Sequence, residues 1–183
     1  MIFTHFGISG PIALRCSQFV VKALKKFDAG NIEVAVDLMP DKSMDEVYQE
    51  TLRLAENEAK KTIKNVLKGY LPEKMIPILL QKALLSESLT YDNIPKQGWQ
   101  TLSGMIKHFP VRVYGTLSIE DAFVTGGGVN LKEIDPKTMQ SKLTKGLYFC
   151  GEILDIHGYT GGYNITAAFS TGYTAGQHAV QNE

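Results

Sequence analysis

Residues 146–176 read GLYFCGEILDIHGYTGGYNITAAFSTGYTAG and hold seven of the chain's seventeen glycines. Leu147–Cys150 is short and wholly apolar, which predicts a strand buried on both faces of a parallel sheet. Gly151 and Glu152 follow at its carboxyl end, the edge where open α/β sheets bind ligands. The glycine lets a ligand approach the backbone, and the carboxylate can accept hydrogen bonds from sugar-type hydroxyls. Thr160 is placed to cap the next helix, and Gly161-Gly162 leaves its first amides free for an electron-rich oxygen. Ala168, Gly172 and Gly176 fall at i, i+4 and i+8. Each internal glycine costs about 1 kcal/mol relative to alanine, so this face predicts a close packing partner. The spacing admits two readings: a ligand-binding loop, or glycines that serve only turns and packing. There is no G-x-G-x-x-G and no phosphate-binding lysine loop to complete a nucleotide site.

The 183 residues suffice for one domain or two small ones. Nineteen basic and nineteen acidic residues balance, and such neutrality argues against a nucleic-acid partner, which normally needs a basic face. Cys16 and Cys150 have no metal spacing, and a reducing, cytoplasmic location is the default expectation. No apolar run approaches a membrane span. The opening MIFTHF is an apolar, β-prone run that wants strand partners, which suggests a piece of something longer.

NIEVAVDLMP (31–40) alternates and predicts a half-buried strand. Ser43 and Glu46 fit a capping box, with Val47, Tyr48, Thr51 and Leu54 following at helical spacing. A second helix is expected over 58–68, with Ile63, Val66 and Leu67 on one face and Gly69 as its stop. Pro72 can start a third, with Met75, Ile76, Leu79, Leu80, Ala83 and Leu84 inward. Residues 96–108 predict a fourth, closed by Pro110. Lys60, Lys61, Lys64 and Lys68 are either a binding patch or a solvated face beside Glu50, Glu56 and Glu58.

VRVYGTL (111–117) returns to alternation, and DAFVTGGGV ends on Gly126-Gly127-Gly128. These glycines are a tight turn where backbone passes close to something, or a direct ligand contact. Gly7-Ile8-Ser9-Gly10-Pro11 fails the nucleophile-elbow pattern at Pro11. The histidines at 5, 108, 157 and 178 show no metal-ligand spacing. His5 and His157 either lie near a ligand or are satisfied by backbone.

The 146–176 stretch, together with FTHFGISGPIAL (3–14) and VTGGGVNLKEIDPKTMQSKL (124–143), closely resembles the aminoacetone oxidase-like FAD-binding family of NAD(P)/FAD-dependent oxidoreductases. The three motifs match in order and spacing and cover nearly the whole chain. The resemblance implies an FAD domain of Rossmann type, a β-rich domain inserted in it, and a helical domain inserted in that. The matched part is the C-terminal part, without the glycine-rich segment that holds the ADP end of FAD. The expected fold class is therefore α+β. Residues 1–41 and 110–134 would belong to the β-rich domain, 42–109 to the helical insert, and 135–183 to the strand-loop-helix end of the FAD domain.

Carried over by position, Gly151 and Glu152 would lie near the ribityl and pyrophosphate part of FAD. Gly161, Gly162, Tyr163 and Asn164 would present helix amides to the isoalloxazine O2/N1 edge, where reduced flavin carries negative charge. Cys150 and the Ile156-His157 pair depart from the family's usual residues and bear on substrate access. The expected partners are the N-terminal FAD-binding half, NAD(P)H and a small-molecule substrate, with neither nucleic acid nor membrane. A chain with the flavin-end contacts alone is expected to hold no FAD and to be inactive by itself. The alternative is a non-catalytic interaction or regulatory domain derived from a flavoprotein.

Overall fold

The computed structural model describes residues 1–122 and 124–181. Phe123 of the DAFVTGGGV run and the last two residues of the 135–183 segment lie outside them. The class is α+β, with two two-stranded sheets and six α-helices among the described residues. Two compact units form: residues 33–113, and residues 1–32 with 114–183. Among the described residues no helix is long and apolar enough to cross a membrane.

The unit at 33–113 is built from β3 and β4 (Ile32–Val36 and Phe109–Val113), which pair, and four helices: α2 (Met44–Asn57), α3 (Ile63–Val66), α4 (Ile76–Lys82) and α5 (Lys96–Lys107). The strand at 31–40 alternates as expected and ends on buried Val36. At the start of α2 the capping box is complete. Ser43 Oγ accepts from the Glu46 N–H at 3.2 Å, and the Glu46 carboxylate accepts from the Ser43 N–H at 2.7 Å. The Ser43 N–H and, after it, the Ser43 hydroxyl, both interacting with the Glu46 carboxylate, hold that carboxyl below the usual range.

Val47, Leu67, Leu79, Leu80, Leu102 and Ile106 form the centre of one core and are fully buried. Buried Thr51 and Ser103 return their hydroxyl protons to Val47 O and Trp99 O, so neither is left unpaired. Lys107 is 9% exposed and fully engaged. Its ammonium meets the Asp37 carboxylate at 2.6 Å and Met39 O at 2.9 Å, and it also donates to Lys42 O. Burial of Asp37 works against its charge, but the Lys107 hydrogen bond and the Met39 N–H together hold its carboxyl below the ordinary value.

Three sequence expectations change here. The helix expected over 58–68 is only α3, because Lys61 N–H turns back to Glu58 O and Thr62 is extended. Ile63, Val66 and Leu67 are buried as the pattern requires. The helix expected from Pro72 begins at Ile76, with Pro77 in its first turn, and Pro72 belongs to the turn before it. The strand expected to reach Leu117 ends at Val113.

The end of α4 departs further. Leu84 N–H bonds Gln81 O and Leu85 N–H bonds Leu80 O, the paired bonds of a Schellman stop. Leu84 takes the position that normally falls to glycine, at φ 58. A left-handed conformation costs an L-residue about 1–2 kcal/mol. The turn swings Leu84, expected inward, to 93% exposure and puts Leu85 in the core instead.

In the other unit, Ile2–Phe3 (β1) and Ile8–Ser9 (β2) form an antiparallel hairpin with Ile2 opposite Ser9. A 17-residue helix, α1 (Pro11–Phe27), follows. Pro11 sits in its first turn, and Asp28 ends it in a left-handed conformation, with Lys25 and Lys26 near its negative end. The final helix, α6, spans Tyr163–Gln181. Ile134, Met139, Leu154 and Ala175 make a small core between α6 and the loops before it.

Leu147–Cys150 is not a buried strand. Among the described residues it forms an isolated antiparallel bridge, Gln140 with Tyr148, rather than a strand, and Leu147 is 42% exposed. Nor do Gly172 and Gly176 meet a close partner: a Cβ at either would find open space.

Candidate functional site

The Gly126–Gly128 turn and the 151–158 loop run side by side. Val129 N–H donates to Ile153 O at 2.8 Å, and Asp155 N–H donates to Val129 O at 3.1 Å. A Cβ on Gly128 would stand 2.4 Å from Ile153 O, and one on Gly126 would stand 2.4 Å from the His157 ring. Close backbone passage, the plainer of the two sequence readings, thus accounts for Gly128, whereas Gly126 faces the His157 ring and a Cβ on Gly127, at φ 97, would find open space. His157 is held within the protein, with Nε2 2.6 Å from Asp155 Oδ1 and 3.2 Å from the Gly127 N–H. His5 stacks edge-on against Phe6 on the hairpin.

Gly151 has φ 78. Its N–H donates to the Thr171 hydroxyl at 3.0 Å, and that hydroxyl donates onward to Ala167 O at 2.7 Å. The loop is thus fastened to the middle of α6. Glu152 Oε1 accepts from the Thr125 N–H at 3.0 Å. Glu152 Oε2 has no partner among the described residues and stays available to a hydroxyl donor.

Asn164 has its side chain fully committed. Its Oδ1 accepts from Gly158 N–H and its Nδ2 donates to Gly158 O, both at 2.8 Å. The Asn164 side chain is thus turned to Gly158 rather than to the helix entrance. Gly161 and Gly162 have φ 122 and 93, and a Cβ on Gly162 would project into open space at the helix entrance. Thr166 N–H is the first to find a helical acceptor, Gly162 O at 2.9 Å. The amides of Tyr163, Asn164 and Ile165 have none among the described residues. Thr160 makes no capping bond there either, so the helix starts later than its expected cap.

Gly151, Glu152 and Asn164 line one cleft of about 130 Å³ with Val124, Ile156 and Ala168. Gly161, Gly162 and Tyr163 sit outside it, at the helix entrance. Sequence reasoning missed Thr125, Thr171 and Gly158, whose bonds span 27, 20 and 6 positions. It also missed Arg15, whose guanidinium lies 5.8 Å over the Tyr159 ring beside the loop. No local spacing signals such pairs.

Across residues 1–124 the chain belongs to the family described as HI0933-like protein barrel and H2TH domain. It is 34% identical over 173 residues to a ribosomal RNA dihydrouridine synthase of Haemophilus influenzae, covering 94% of this chain and 40% of that protein. It is 31% identical over 181 residues to the Escherichia coli protein of the same name, covering 98% and 42%. A 3-dehydro-bile acid delta(4,6)-reductase of Clostridium scindens is 30% identical over 181 residues, covering 99% and 44%. The chain thus spans about two fifths of the length of these relatives.

Proposed function

We propose that this chain is the flavin-end portion of an FAD-dependent oxidoreductase that reduces a carbon–carbon double bond conjugated to a carbonyl. In the names of the relatives, a dihydrouridine is a uridine whose ring C=C is saturated beside a carbonyl. A Δ4,6 3-dehydro steroid carries its double bonds in conjugation with the 3-keto group. The two substrates share little except that electron-poor alkene.

The observation that carries the reading is the row of acceptor-free amides at Tyr163, Asn164 and Ile165, opened by two left-handed glycines next to the Gly151-Glu152 cleft. These groups fit the cofactor's chemistry. The amides and the positive helix end suit the electron-rich O2/N1 edge of an isoalloxazine. Glu152 Oε2 suits a ribityl or ribose hydroxyl. When bound, FAD supplies the hydride, with NAD(P)H as the external reductant. The chain's own part is to orient the ring and to stabilise negative charge on it with amides that need no reorganisation.

The Rossmann-type origin of residues 135–183, the β-rich origin of 1–41 and 110–134, and the helical insert at 42–109 belong to this same reading. So does the partnership with an N-terminal segment holding the ADP end of FAD.

The test compares the 183-residue chain with a full-length homologue carrying it. The chain alone is expected to purify colourless, because a few hydrogen bonds of about 0.5–1.5 kcal/mol each do not offset the cost of immobilising a dinucleotide. In the full-length protein, Gly162→Val should weaken FAD about tenfold or more, since each ~1.4 kcal/mol lost is a factor of ten. Absorbance of the bound flavin reads both. A yellow chain refutes the first expectation, and full flavin loading of the valine variant refutes the second.

A further inference from the structure

We infer that His157 is a proton-operated latch on the tip of the Gly126-Gly127-Gly128 turn, engaged while its ring is neutral and released when the ring is protonated. What the latch governs, the wall of the cleft, rests on the reading above. The latch itself does not.

One nitrogen faces two partners with opposite requirements. His157 Nε2 lies 2.6 Å from Asp155 Oδ1, an acceptor, and 3.2 Å from the Gly127 N–H, a donor. A ring nitrogen either carries a proton or offers one lone pair. With a proton, Nε2 donates to Asp155 and the Gly127 N–H loses its acceptor. Without one, Nε2 accepts from Gly127 and the ring proton sits on Nδ1. No protonation state serves both partners. The imidazolium belongs with the carboxylate, because a charge-assisted hydrogen bond is about twice as strong as a neutral one. Loss of the ring's charge weakens that preference, and Asp155, whose side chain is 45% exposed, is hydrated without the ring. Nδ1 makes no hydrogen bond among the described residues, so it is free to hold the proton of the neutral form.

The surroundings confine the effect to the tip. The turn is pinned at both ends without His157. Thr125 N–H donates to Glu152 Oε1 at 3.0 Å, and Val129 N–H donates to Ile153 O at 2.8 Å. Between these pins Gly127 and Gly128 have φ 97 and 154, backbone that glycine crosses readily. Gly126 lies against the ring, where a Cβ would stand 2.4 Å from Cε1. Among the described residues, Asp155 is the ion-pair partner of His157, the turn presents backbone to the ring, and Glu152 on the same loop is engaged by Thr125. The pins adjoin the cleft, since Val124, Glu152 and Ile156 line it. A released tip loosens that wall and returns the Gly127 amide as a donor beside it.

NMR of the isotope-labelled 183-residue chain between about pH 5 and 8, where histidine side chains commonly change charge, tests the latch. The readout needs no cofactor, so failure of the flavin assignment leaves it intact. Neutral His157 is expected to carry its proton on Nδ1. Exchange protection of the Gly127 N–H should fall about two- to tenfold in acid, the worth of one hydrogen bond. Val129 N–H, whose acceptor does not titrate, should keep its protection and reports that the fold is intact. His157→Gln offers separate atoms to the two partners at every pH, so the pH dependence at Gly127 should vanish. Gly126→Ala has a backbone outside the left-handed region, yet its Cβ pushes the ring aside. It should leave Gly127 unprotected at both ends of the pH range. A neutral ring protonated on Nε2, pH-independent protection of Gly127 in the parent, or parent-like pH dependence in the glutamine variant overturns the inference.

Discussion

The two units treat their apolar residues in opposite ways. Residues 33–113 bury an almost continuous core and leave Met44, Ile78 and Leu84 as their only exposed large hydrophobics. The other unit has four buried core residues in its cluster and a long apolar surface, including Phe6, Ile12, Phe19 and Phe27 near the hairpin and α1. On α6, Ile165, Phe169, Tyr173 and Val180 are all well exposed. One unit closes on itself. The other has helices with apolar faces that this chain does not cover, which accords with a chain spanning two fifths of its relatives' length.

The largest test of that contrast is a pair of truncations. Leu79→Ala empties a fully buried site and should cost about 2–5 kcal/mol. Phe169→Ala removes a larger side chain that is 76% exposed and should stay within about 0.5 kcal/mol. Urea midpoints compare them, and equal losses would mean that α6 is covered in solution.

Next comes the polar anchor of the self-contained unit. Lys107→Met leaves Met39 O and Lys42 O without their charged donor and should cost about 1.5–3 kcal/mol at neutral pH. The pH dependence follows from Asp37, whose folded pKa is depressed. Its contribution is present above its ordinary value of 3.8 and is lost as pH falls through the lower folded value. The gap between parent and variant should therefore narrow in acid below that point, and a constant gap in pH-dependent melts would remove Asp37 from the account.

The smallest effect sharpens the description of α6. Gly172→Leu faces open space and should leave the denaturation midpoint unchanged or slightly raised, because leucine is the better helix former. A clear loss of stability would restore the tight packing that the Ala168-Gly172-Gly176 spacing predicts.

Features set by a few neighbouring residues were the legible ones. The Ser43/Glu46 box and the burial of Ile63, Leu79 and Leu80 follow from spacings of three and four. Leu84 was misread because periodicity carries no notice that the helix has already ended at Lys82. Helix α1 was not read at all: residues 1–41 were assigned to a β-rich domain, and Pro11, which opens the helix, was weighed only against a nucleophile elbow. At the site, the left-handed glycines 151, 161 and 162 lay within a recognisable motif. The bonds that hold them in place, through Thr171 and Thr125, join residues too distant for any local pattern. Leu147–Cys150 matched a buried strand in composition, yet composition does not say whether a sheet exists to receive it.

The Asn164–Gly158 clamp has an entropic meaning. Two hydrogen bonds from one side chain close a seven-residue ring, 158–164, in the free protein. Ordering a residue costs about 1–2 kcal/mol of backbone entropy, so a slack loop of that length would impose a large charge on any ligand that had to organise it. Here the ordering is complete before a ligand arrives. Under the proposed function, a ligand at the entrance of α6 would meet a loop already restrained by these two bonds, and would keep as affinity what ordering it would otherwise cost.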